Sequence, residues 1–194
     1  MEGEDVSVNP HECNSGRGIV EKSFTIGVDP GSKVSGLALL HGNTLVDWKL
    51  LKVPAHRKPV QRCWMMGDKV EEALIEWQEN IVSSSSCLAL VEIPGAQNRF
   101  HSRGLVTLGM VCGTVLTRVR MCGYEVNTIE ATKWTKLHGK RAMSKEARAS
   151  KVASLFQDKY DLSQDPGMDG ADAIGLAAWL TGHLRYDSDD LSSH

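Results

Sequence analysis

Thr25-Ile26-Gly27-Val28-Asp29-Pro30-Gly31-Ser32-Lys33-Val34-Ser35-Gly36-Leu37-Ala38-Leu39-Leu40 reads as a short buried strand ending on a carboxylate, a tight turn, and a second strand returning beside the first. Pro30 and Gly31 force the turn, and Gly36 fits either a bulge or a close backbone approach. An apolar strand needs no acid at its end, and an unpaired buried charge is costly. Asp29 therefore asks for a cation, unless the hairpin lies at the surface and Asp29 is only an acidic turn residue. The choice turns on whether later elements bring further acids.

They do. Cys87-Leu88-Ala89-Leu90-Val91 is a continuous apolar run suited to a strand buried on both faces, and it too ends on an acid, Glu92, before Pro94-Gly95. If the two strands are parallel neighbours, both acids lie at one sheet edge, where open α/β sheets bind their ligands. Further on, Asp169-Gly170-Ala171-Asp172-Ala173-Ile174-Gly175-Leu176-Ala177-Ala178-Trp179-Leu180 predicts a helix whose first turn carries two carboxylates on one face. The helix dipole accounts for Asp169. It accounts less well for Asp172, which precedes small apolar residues that should pack inward.

The rest of the chain fits around these stretches. Residues 1–22 are polar and aperiodic and predict a flexible arm, residues 23–185 a single domain, and residues 186–194 a disordered acidic tail. Strands are expected at 24–29, 36–40 and 44–53 as an antiparallel meander, with His41-Gly42-Asn43 as a turn. A basic loop at 54–59 leads into a long helix over 60–82, where Val70, Ala73, Leu74 and Trp77 recur at helical spacing. A strand at 124–129 and a helix from the N-cap Ser144 to about Phe156 follow. The fold class is α/β.

Residues 102–121 read as a helix despite Gly104, Gly109 and Gly113. Leu105, Leu108, Cys112, Val115 and Val119 make one stripe, while Val106, Met110 and Val111 fall off it. Such a helix must be covered on more than one side. The second cover is either another subunit, with Gly109 and Gly113 at a dimer interface, or simply the same chain.

The formal charge of −2 over 194 residues does not advertise a nucleic-acid partner, but the average hides a pattern. Acids crowd both termini, whereas Lys133, Lys136, Lys140, Arg141, Lys145, Arg148 and Lys151 face the lone acid Glu146. A run so nearly of one sign favours phosphate contact over an ordinary solvated face. The five cysteines form no CxxC pair, four of them lie in apolar stretches, and they read as buried, reduced thiols of a cytosolic protein. No apolar run approaches the roughly 18 residues of a membrane span, so no membrane partner is expected.

Taken together, Gly27-Val28-Asp29-Pro30-Gly31-Ser32 with Gly36, Val91-Glu92, and Asp169-Gly170-Ala171-Asp172-Ala173 resemble the motifs of RuvC-type Holliday junction resolvases, in matching order and spacing. Leu108-Gly109 with Gly113 resembles the family's Leu-x-x-x-x-Gly helix region, and the likeness spans roughly residues 24–184. The resemblance implies a ribonuclease-H-like fold, with a five-stranded mixed sheet whose first three strands are antiparallel. It implies a homodimer that nicks two strands of a four-way DNA junction symmetrically. Asp29, Glu92, Asp169 and Asp172 fall on the family's catalytic, metal-binding acids. Clustered carboxylates repel one another, and oxygen ligands suit Mg²⁺, with Mn²⁺ as a substitute. Two ions per site would serve a phosphodiester hydrolysis that needs no nucleophilic side chain.

One position departs from the family, whose members often carry an aromatic residue three positions after the strand-end glutamate. Here that position is Gly95; Phe100, beside Arg99, is the candidate to stack on DNA in its place. The same acids would serve a ribonuclease-H-like nuclease of flaps, forks or RNA–DNA hybrids, or survive in a non-catalytic junction-binding protein. An actin-like sugar kinase or ATPase also opens on an aspartate-glycine hairpin, but it needs two such domains.

Overall fold

The structure, a computed structural model, describes residues 23–79, 81, 87–95, 102–130, 134 and 144–184. The arm at 1–22 and the tail at 186–194 lie outside these residues, as do Arg99, Phe100, Lys133, Lys136, Lys140 and Arg141.

Three strands open the chain: β1 (Phe24–Asp29), β2 (Val34–His41) and β3 (Thr44–Lys52). They form the expected antiparallel meander, with Asp29 opposite Gly36 and His41 opposite Thr44. The β2–β3 turn holds Gly42 at φ 56, the left-handed region. Helix α1 (Pro59–Gln78) follows, starting on Pro59, whose fixed φ suits a first helical position. Strand β4 (Cys87–Ile93) then pairs parallel to β1, and β5 (Glu125–Glu130) parallel to β4. The sheet order is β3-β2-β1-β4-β5. Between β4 and β5 lies α2 (Ser102–Met121), and α3 (Lys145–Leu155) and α4 (Asp169–Leu180) close the fold. Ser144 caps α3 by accepting from the Ala147 N–H, as its position predicts.

Strand alternation sorts the side chains into two cores. Ile26, Val28, Leu37, Leu39, Ala89 and Val91 face α1 and α2, in the core that also holds Met66, Val70, Leu74, Trp77, Val115 and Val119. The opposite face carries Ala38, Leu40 and Leu45 against Ala171, Ala173, Ile174 and Ala177 of α4. Residues Thr25, Gly27 and Asp29 of β1, and Glu92 of β4, share the parity of that second face. Helix α4 is accordingly buried from Gly170 to Ala178.

Small residues allow that helix to lie directly on the sheet. A Cβ on Gly27 would sit 1.9 Å from the Ala173 carbonyl oxygen, and one on Gly36 would sit 1.9 Å from that of Asp169. The close-approach reading of Gly36 is the one realised. Thr25 adds a hydroxyl hydrogen bond, 3.3 Å to the Ala177 carbonyl.

Helices α1 and α2 pack side by side, joined by Arg118, which pairs with Asp68 at 2.7 Å and Glu71 at 2.6 Å. The buried stripe of α2 differs from the expected one: Val111 joins Cys112, Val115 and Val119, while Leu105 is exposed. Val106 and Met110 are exposed, as are Gly109 and Gly113, where an added Cβ would meet nothing within 4 Å. By length and composition the 104–121 stretch, of mean hydropathy 1.2, could cross a membrane, which the apolar-run criterion did not anticipate. Here it serves as a helix of the α/β layer, with one side on α1 and the sheet.

Candidate active site

Asp29 and Glu92 reach the same sheet edge through parallel pairing. Val28 lies opposite Val91, so Asp29, the last residue of β1, and Glu92, one residue before the end of β4, lie at one end of the sheet and on the α4 face. Beyond Asp29 the chain turns sharply, and the turn is held from two sides. The buried Ser35 hydroxyl accepts from the Gly31 N–H at 2.9 Å and donates to the Gly31 carbonyl at 3.2 Å. From α1, Arg62 Nε donates to the Ser32 carbonyl at 3.0 Å.

The first turn of α4 delivers Asp169 and Asp172 over that edge. Its start is set by Asp165, fully buried, whose Oδ2 accepts from the Tyr160 hydroxyl and the Ala171 N–H, both at 2.8 Å. Met168 supplies a left-handed residue at φ 58 just before the helix. Three separate elements, β1, β4 and α4, thus contribute the four predicted acids to one place.

The acids interact electrostatically. Burial raises the Asp29 carboxyl well above the ordinary aspartate range, and the charges of Glu92, Asp172 and Asp169 push it the same way against Lys145. Burial also raises Glu92, with Asp172 adding to the rise and a hydrogen bond from Trp134 opposing it. Cys112 of α2 lies nearby, its thiol pushed up to about 12 by burial and then by Asp29 and Glu92, consistent with an inert, reduced thiol.

Two cations answer this charge, and sequence reasoning had given both to DNA. Lys145 Nζ lies 2.6 Å from Asp169 Oδ1 and 3.5 Å from Asp172 Oδ2. Burial alone would lower the Lys145 ammonium, but the hydrogen bond to Asp169 and the charge of Asp172 raise it instead. Arg148 grips Asp172 with two parallel bonds, Nε to Oδ1 at 2.9 Å and Nη2 to Oδ2 at 3.0 Å. Asp172 is 5% exposed, so this pair is largely desolvated.

Sequence reasoning missed Trp134 altogether. Its indole N–H donates to Glu92 Oε2, and its ring lies under the Arg148 guanidinium, 5.0 Å away.

In donor chemistry the four acids fit a hard divalent cation: all their ligand atoms are oxygens, and each charge is unfavourable without a counter-charge. Among the described residues no three such side chains converge closely enough to form a ligand shell as they stand. Asp169 and Asp172 turn instead to Lys145 and Arg148, which offset part of the cluster's charge.

No protein-family model matches the chain, and no curated protein matches it in sequence. Solved structures do match. RuvC of Thermus thermophilus in complex with a Holliday junction substrate has a TM-score of 0.60 and 18% identity, covering 82% of this chain and 91% of that one. A second Thermus thermophilus RuvC structure has a TM-score of 0.59 and 18% identity, covering 81% of this chain and 92% of that one. The yeast mitochondrial Holliday junction resolvase Ydc2 has a TM-score of 0.49 and 14% identity, covering 84% of this chain and 82% of that one. The chain has the ribonuclease-H-like α/β fold of RuvC-type resolvases.

Proposed function

We propose that this chain is a divalent-metal-dependent endonuclease that resolves four-way DNA junctions by paired, symmetric nicks. The observation that carries the reading is the meeting of Asp29, Glu92, Asp169 and Asp172, from three elements, at one edge of a RuvC-like sheet. Structural economy does not require it. The two strand-end carboxyls are raised above their ordinary range by burial and then by the charges of neighbouring acids, a cost for which packing gives no reason.

These four carboxylates would hold Mg²⁺ or Mn²⁺, two ions per site. When bound, the ions supply Lewis-acid stabilisation of the charge developing on the phosphodiester. The chain's own residues do the rest. The strand-end turn, fixed by Ser35 and Arg62, holds Asp29 in place. Helix α4, seated through Gly27 and Gly36, fixes Asp169 and Asp172 relative to Asp29. Lys145 and Arg148 keep the cluster from repelling itself apart before ions arrive. The remaining bases of the 133–141 stretch are proposed to hold junction-arm phosphates, and Phe100 with Arg99 to contact the crossover.

Paired nicking needs two active sites, which a homodimer provides. The exposed face of α2, with Val106, Met110 and the open Gly109 and Gly113, is the proposed interface. Val106 is 63% exposed, and burying such side chains favours association.

The test is a substrate panel. The purified protein with Mg²⁺ is offered four-way junctions, replication forks, flaps and RNA–DNA hybrids of matched sequence. The reading expects junctions to be cut fastest. Preferred cutting of flaps or hybrids would replace it with another ribonuclease-H-like activity on the same acids.

A further inference from the structure

Trp134 is a buried tryptophan, 3% exposed, in the segment between β5 and α3. Its ring packs with Leu90, Ile129 and Leu176, and a Cβ on Gly175 would meet it at 3.5 Å. A purely structural indole could send its N–H to any nearby backbone carbonyl. This one donates instead to Glu92 Oε2, at the end of β4. The same ring carries the Arg148 guanidinium, 5.0 Å from its centroid, and Arg148 holds both oxygens of Asp172. One side chain therefore touches an acid of the sheet directly and an acid of α4 through a single intermediary.

An indole N–H only donates, and it bonds more strongly to an ionised carboxylate than to a neutral acid. With Oε2 engaged, the Glu92 carboxylate loses rotational freedom and Oε1 is left for an ion. A ligand held this way binds its metal without ordering itself first, and partners that orient metal ligands are commonly worth about 10–100-fold in affinity or activity.

We propose that Trp134 is a positioning residue for the metal site, fixing Glu92 through its indole N–H and Asp172 through the Arg148 guanidinium stacked on its ring. This rests on the nuclease reading above, in which Glu92 and Asp172 are metal ligands. Trp134→Phe keeps a ring under Arg148 and in the apolar cluster but removes the N–H.

The test uses the full chain. Mn²⁺ is titrated calorimetrically into wild type and Trp134→Phe, and single-turnover junction cleavage and junction affinity are measured in parallel. Trp134→Phe should bind Mn²⁺ about 10–100-fold more weakly and cleave more slowly, with junction affinity unchanged. In the wild type, one of the five indole ¹⁵N–¹H resonances should move on adding Mg²⁺, and the same one should move in Glu92→Gln. That resonance decides the matter even if Trp134→Phe folds poorly. Wild-type Mn²⁺ affinity in a folded Trp134→Phe, or no indole resonance responding to both Mg²⁺ and Glu92→Gln, overturns the proposal. A wild type that binds Mn²⁺ in this manner but cuts no branched DNA overturns the nuclease reading and leaves this one standing.

Discussion

Gly36 of β2 and Asp169 of α4 are in backbone contact: a methyl group on Gly36 would lie 1.9 Å from the Asp169 carbonyl oxygen. The seat of the helix and the position of a proposed metal ligand are therefore one structural fact. Gly36→Ala must push the first turn of α4 away from the sheet. Overpacking of this kind costs about 1–3 kcal/mol, to be read from urea denaturation. Cleavage by the folded fraction should fall much further, by about 100-fold, because a displacement near 1 Å is enough for that. Gly104→Ala, where an added Cβ meets nothing within 4 Å, is the control and should stabilise by up to about 1 kcal/mol.

Lys145 separates two roles that a basic sequence run cannot distinguish. If it contacted phosphate, neutralising it would lower the salt slope of DNA binding by about 0.9. Its 2.6 Å pairing with Asp169 predicts otherwise. Lys145→Gln should leave the slope unchanged while slowing cleavage, as measured by filter binding across a salt series and by single-turnover kinetics.

Much of the site was legible in the chain because it obeys simple periods. Asp29 and Glu92 each follow an apolar run, and Asp169 and Asp172 share one face of a helical turn, so the apolar patterning and helical spacing find all four. The partners of these acids were not legible. Trp134 lies 42 residues from Glu92 in a stretch with no apolar period, and only the fold brings the two together. Lys145 and Arg148 looked like phosphate contacts because a run of one charge sign says nothing about which way a helix is turned. Helix α3 turns them onto α4. On α2, Leu105 repeats at core spacing yet is exposed, while Val111, off that stripe, is buried beside Cys112 and Val115.

Asp29 gives the metal-free protein a pH signature. Its carboxyl is raised well above the ordinary value by burial and then by Glu92 and Asp172, so the folded chain keeps a proton that the unfolded chain has released. The stability this contributes is fully present below about pH 4 and is lost as pH rises through the raised value. Melting temperatures of metal-free wild type and Asp29→Asn, taken across that range, should show the wild type losing ground to the variant as pH rises. Parallel curves would mean that the acids do not burden one another.

The open glycine face of α2 permits a clean test of dimerisation. A Cβ added at Gly109 meets nothing within 4 Å in the monomer and the position is exposed, so Gly109→Leu is expected to leave the fold intact. At a close helix–helix interface it would be overpacked. Light scattering over a concentration series should show wild-type dimers at micromolar concentration and Gly109→Leu shifted to monomers with its melting temperature maintained. Monomeric wild type would argue against paired nicking.

The most direct measurement compares wild type with Asp29→Asn on a four-way junction and on a duplex of the same sequence, in Mg²⁺, scoring binding and strand cleavage separately. Asn keeps the size of the side chain and removes a charge that repels both phosphate and its neighbouring acids. The account predicts symmetric nicks in the junction and little cutting of duplex by the wild type. It predicts no cleavage by Asp29→Asn, whose junction affinity is equal or higher. Cleavage by Asp29→Asn at the wild-type rate, or equal cutting of duplex and junction by the wild type, would contradict it.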